Sequence, residues 1–146
     1  MFQSILIPIH HYAPHTDAAV AAAVDLAKLT GAAIHVVHAE EGISGIDSLA
    51  LGPLPADTAS KMRQEDIDLL EVVRQRFADV GLSATTELMP RDGTSIHNRV
   101  LVAAEQVGAD LIVLGAGGSS ELVGLLLGSV SHKIIQHAPS AVLVIK

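Results

Sequence analysis

Hydrophobic residues recur along this chain in two rhythms. Short continuous runs of aliphatic and β-branched residues read as strands buried on both faces: Ser4–Ile9 with ILIPI, Ala33–Ala39 (AIHVVHA), Asp110–Leu114 (DLIVL) and Ala141–Ile145 (AVLVI). Ser83–Met89 alternates weakly and reads as one more strand, third in chain order. Between the runs the spacing turns helical. Thr16 or Asp17 can cap a helix rich in Ala, Val and Leu that Gly31 ends. Asp57–Val80 is a charged amphipathic helix with the stripe Leu70, Val73, Phe77 and Val80, closed by Gly81. Thr94 or Ser95 opens a helix with the stripe Ile96, Val100, Ala103 and Val107, which Gly108 ends. A last helix runs from about Gly128 to His137 and stops at Pro139. Glu40–Asp57, with three glycines and two prolines, reads as a long loop.

Strands alternating with helices predict an α/β fold: one domain over residues 1–146, an open five-stranded parallel sheet in the order 3-2-1-4-5, right-handed crossovers, and helices on both faces. Ligands of such sheets bind beyond the carboxyl ends of the strands, where the strand order reverses. Here that is the crevice between the first and fourth strands, which His10-His11-Tyr12 and Gly115-Ala116-Gly117-Gly118 leave. The densest glycine turn of the chain thus falls at the predicted crevice. Successive N–H groups in such a turn can form an anion-binding nest, and Gly128-Ser129 opens a helix whose free N–H groups also favour phosphate. The same residues also fit a plain strand-to-loop turn and a serine capping its own helix.

Composition narrows the functions. The 146 residues carry a formal charge of −7, which disfavours nucleic acid and anionic membrane as partners. Aromatic residues are 2% of the chain, too few for a base-stacking platform. Cysteine is absent, which excludes thiol chemistry and fits a reducing cytoplasm. No run reaches bilayer length, and Ile5–Ile9 without a basic flank is too short for a secretory leader, so a cytoplasmic protein is expected.

Gly115-x2-Gly118-x9-Gly128-Ser129 matches the G-x2-G-x9-G-(S/T) motif of the ATP-binding branch of the universal stress proteins. ADLIVLG before it and LLLGSVSHKIIQHAPSAVLVI across and after it resemble that family too, as does the opening ILIPI. The resemblance covers essentially the whole chain. It implies a homodimer that binds ATP, with Mg²⁺ as companion of the phosphates, or another adenine nucleotide. Gly115, Gly118, Gly128 and Ser129 would contact phosphate or ribose, Val130 would follow in that loop, and Pro8, Ile9 and Val37 would flank the adenine. Two positions depart from the family pattern. His10 stands where the family usually has the aspartate that binds ribose or adenine, although a histidine can also donate or accept there. Gly117, and Ser119 after it, stand where basic residues are common, so backbone N–H groups must meet the phosphate charge alone.

Other residues point elsewhere less strongly. His10, His11 and His15 cluster, with Asp17 as the only nearby carboxylate, and no metal site is expected from them. His132 shares a helix face with Ser129, but no orienting acid or oxyanion hole can be assigned, so no catalytic residue is expected. The primary expectation is a nucleotide-binding regulatory homodimer acting in stress response through an unknown protein partner. The alternatives are an interaction module of the same fold that has lost nucleotide through His10 and Gly117, and, last, a weak nucleotide hydrolase. Ala141–Ile145 lies at the sheet edge without proline or charge, which predicts pairing with the same strand of a second chain.

Overall fold

A computed structural model describes residues 1–10, 14–41, 52–53, 55–116 and 127–146. The elements follow in the order β1 (Ser4–Ile9), α1 (Pro14–Thr30), β2 (Ala33–Ala39), α2 (Ala56–Asp79), β3 (Ala84–Met89), α3 (Ile96–Gln106), β4 (Leu111–Gly115), α4 (Ser129–His137) and β5 (Ala141–Ile145). All four strand pairings are parallel and the sheet order is β3-β2-β1-β4-β5, as the alternation predicted.

The unbroken apolar runs are explained by burial on both sides. Ile5, Ile7 and Ile9 of β1 and Ile34 and Val36 of β2 pack on α1 and α2, through Ala19, Val20, Ala23 and Ala27 of the first helix and Leu70, Val73 and Phe77 of the second. Leu6, Val37 and Ala39 face the other way, onto Val100, Ala103 and Ala104 of α3 and Ile134 of α4. A chain almost without aromatic residues thus fills two aliphatic layers, using alanine where helix and sheet come close.

The helix ends obey local rules. Gly31 has φ of 74° and its N–H bonds to the Ala27 carbonyl at 2.8 Å, the left-handed closure that glycine favours. α1 starts at Pro14, earlier than the Thr16 or Asp17 cap predicted. Proline's missing N–H costs nothing in the first turn of a helix, so it can open one. Of the two candidates for α3, Ser95 is the cap, accepting the Asn98 N–H at 3.4 Å, while Thr94 is held by Asp92. Of the predicted long loop, residues 42–51 and 54 lie outside the described residues.

The lower end of the sheet is fastened by Asp110. Its carboxylate accepts the N–H groups of Gln3 at 2.8 Å and Ser4 at 3.1 Å, joining the starts of β1 and β4. The Gln3 bond first, and the Ser4 bond with it, holds this carboxyl below the ordinary aspartate range.

Candidate functional site

The two central strands part at one residue, Pro8. In a parallel ladder successive residues address opposite neighbours. The Gln3 carbonyl accepts from Ala33 on the β2 side, and the Ser4 carbonyl accepts from Asp110 on the β4 side. Odd residues of β1 therefore address β2 and even residues address β4. The β1–β2 register runs on to Ile9↔His38, whereas the β1–β4 register is Ile5↔Leu111 and Leu6↔Ile112. Pro8 is the next even residue, and it has no N–H to give. Proline is normally kept out of central strands because it removes a ladder bond. Here the bond it lacks is the one that would have closed β1 against β4 at the switch point.

Around this opening the predicted residues fall as follows. Pro8 is the register partner of Val37, and alternation puts both on the α3–α4 side of the sheet, Pro8 half-buried and Val37 buried. The Ile9 side chain points away, into the α1–α2 core, and its carbonyl meets Nδ1 of His38 on the β2 side at 2.8 Å. His10 is exposed just beyond β1, with Nδ1 3.2 Å from Glu41 Oε1. Gly115 ends β4, half-buried. Gly117 and Gly118, the middle of the glycine turn, lie outside the described residues.

Gly128 is the N-cap of α4, and Ser129 and Val130 are its first two residues. Helical bonding begins with the His132 N–H on the Gly128 carbonyl at 2.9 Å. The N–H groups of Ser129, Val130 and Ser131 therefore have no intrahelical acceptor. Gly128 has no side chain to cap them. Ser129 is exposed, whereas the Val130 side chain turns down onto the α3–α4 core, leaving its backbone at the helix mouth. The result is a patch of donors with the positive end of the helix dipole behind it.

A groove of about 430 Å³ adjoins this region at the ends of β2 and β3, lined by Glu40, Glu41, Arg91, Thr94, Ser95 and Arg99 among others. Arg99 is buried beneath it. Its Nη1 donates to the carbonyls of Glu40, Met89 and Pro90 at 3.1, 3.2 and 3.2 Å, tying the ends of both strands to α3. The Thr94 hydroxyl, and then its N–H, hold the Asp92 carboxyl at the groove edge below the usual range. Arg63 of α2 pairs with the Glu40 carboxylate.

Among the described residues no group of three or more side chains could hold a metal ion. Of the histidine cluster, His11 lies outside the described residues, and Asp17, the carboxylate offered to it, pairs with Arg76 of α2. Lys133 is exposed and adds its charge to that of His137 in lowering the proton affinity of His97 on α3, where burial is the larger cause.

With this geometry in place, residues 1–146 match the Universal stress protein family. The chain belongs to that family. A universal stress protein of Bacillus subtilis (strain 168) is 30% identical over 152 residues, covering 100% of both chains. Among solved folds, a universal stress protein from Archaeoglobus fulgidus aligns with TM-score 0.80 and 22% identity over 100% of both chains. One from the same organism in complex with dAMP aligns with TM-score 0.73 and 21% identity over 99% of this chain and 98% of the other. A universal stress protein in complex with cAMP aligns with TM-score 0.72 and 20% identity over 99% and 97%.

Sequence reasoning missed two parts of this site. The strand-opening role of Pro8 was available in principle, since a proline inside the central strand of the expected order is itself a signal. The anchoring by Arg99 depends on which loops meet, and spacing does not carry that. His38, at the end of the second strand, reads from the sequence as a core or edge histidine with ordinary hydrogen bonds, and it is buried at 2% exposure.

Proposed function

We propose that this universal stress protein binds an adenine nucleotide in the crevice between β1 and β4. The observation that carries the reading is the start of α4 at Gly128-Ser129, which no described side chain caps, on the same side of the sheet as the apolar shelf of Pro8 and Val37. Free N–H groups suit phosphate, and the shelf suits a flat base. The dAMP and cAMP complexes of proteins with this fold support the same ligand class. Within this reading Gly115, Gly117, Gly118, Gly128 and Ser129 serve phosphate and ribose, Val130 contributes backbone, and His10 takes the position beside the sugar. ATP, with Mg²⁺ on its phosphates, is the ligand proposed first. The protein acts as a binding and regulatory module of one domain rather than as an enzyme, in the cytoplasm, and it works as a homodimer with a further protein partner. No described helix is long and apolar enough to cross a membrane.

The experiment is calorimetry with ATP on the wild type and on Gly128→Val. Gly128 has φ of −56° and ψ of 154°, a conformation open to any residue, so valine should leave the fold intact. Its side chain would stand at the helix mouth, and binding should vanish while helical circular dichroism stays unchanged. Equal affinity in the two proteins would reject the site.

A further inference from the structure

His38 is the one buried imidazole among the described residues, and both its nitrogens meet acceptors. Nδ1 lies 2.8 Å from the Ile9 carbonyl, and Nε2 lies 2.9 Å from Asp66 Oδ1 on α2. A carbonyl oxygen only accepts, and so does an ionised carboxylate. A neutral imidazole has one N–H and can satisfy only one of the two. The other nitrogen would then set its lone pair against an oxygen with water excluded. Asp66 keeps 26% of its side chain in solvent, so water can complete the hydrogen bonding of its carboxylate.

We propose that His38 is a positioning residue for the nucleotide crevice and works as an imidazolium, a protonated clip between α2 and the end of β1. This rests on the nucleotide-binding reading for its functional consequence, though not for its chemistry. The Ile9 carbonyl that His38 holds lies between Pro8, where β1 leaves β4, and His10 at the rim of the crevice. Loss of the second ring proton turns one of the two contacts repulsive. Either α2 loosens at Asp66, or the Ile9–His10 peptide moves. Nucleotide affinity should therefore fall as pH rises. The other charged groups here already have partners: Arg63 of α2 with Glu40 after β2, Asp17 of α1 with Arg76 of α2, and His10 with Glu41. His10 can itself titrate with ligand binding, so the test must separate the two histidines.

Asp66→Asn makes that separation. An asparagine amide can donate to a bare Nε2 while the Nδ1 proton stays on Ile9, so a neutral His38 is fully satisfied and no second ring proton is required. Nitrogen-15 NMR of the ligand-free wild type near neutral pH should show both His38 nitrogens protonated, and in Asp66→Asn a bare Nε2. ATP affinity of the wild type should drop about tenfold from about pH 6 to about pH 9, within the usual range of coupling between sites. Asp66→Asn should flatten that profile without losing binding at the acidic end, whereas His10→Ala should leave its His38-dependent part in place. A bare ring nitrogen in the neutral wild type overturns the clip, and an unchanged pH profile in Asp66→Asn overturns its link to the site. The NMR measurement contains no nucleotide, so absence of ATP binding would count against the functional reading alone.

Discussion

Pro8 carries much of the account on one missing hydrogen. Replacing it with valine restores an N–H directed at β4, so Pro8→Val should extend the β1–β4 ladder. Added amide protection at that position, measured by hydrogen exchange, together with weaker ATP binding, is the expected result. A variant that binds as well as wild type would mean that proline does not set the opening. His10→Asp tests the neighbouring residue. A carboxylate accepting from a ribose hydroxyl makes a charge-assisted bond, so affinity should rise by about tenfold in calorimetry. Asp110 acts at the far end of the same strands. Its lowered proton affinity in the folded state means that its contribution to stability is present above the ordinary aspartate value of about 4 and is lost as pH falls through its own lower value. Asp110→Asn should unfold more easily at neutral pH and lose part of the acid limb in thermal melts followed across pH.

At the scale of elements, the helices are fixed by what they bury. Phe77 is fully buried where α2 meets the sheet. Phe77→Ala should cost about 3–5 kcal/mol in urea unfolding, from lost transfer and an unfilled cavity. A cost near that of an exposed substitution would mean that α2 is not seated as described. These elements were also the most legible part of the sequence. The runs at Ile5, Ile34 and Leu111 named strands because burial on both faces leaves polar residues little place, the half-buried run at Val142 did so by its β-branched residues, and Gly31 and Gly108 marked helix ends because their φ is positive. The first turn of α1 was misplaced because Pro14 reads equally well as a loop residue. The candidate site was read from the switch point of the strand order, the glycine spacing and the family resemblance. Pairings such as His38–Asp66, 28 residues apart, and Arg99 with the Glu40 carbonyl, 59 apart, arise from where the loops settle, and no periodicity encodes that.

For the whole molecule, β5 is the edge strand whose outer side bears on assembly. Ala141 donates to the Asp110 carbonyl and Ile145 accepts from Ala116, so the odd residues of β5 address β4 and the backbones of Val142 and Val144 face outward. The side chains are already taken within the chain: Leu143 and Ile145 pack on the α1–α2 core, Val142 and Val144 on the α3–α4 core. A partner strand would thus be recognised mainly through the outward backbone groups. Val142→Pro deletes one outward donor without touching the ladder to β4, and in the proposed homodimer it should shift sedimentation toward monomer. A wild type that already sediments as a monomer at micromolar concentration would remove the dimer from the account. The central claim is that the crevice between β1 and β4 holds an adenine nucleotide, and calorimetric titration of the wild type with ATP tests it most directly. Saturable binding of one nucleotide per chain, which Gly128→Val eliminates, is the expected result. The absence of any binding heat with ATP, dAMP or cAMP across a range of temperatures, in a protein that is folded by circular dichroism, would contradict it.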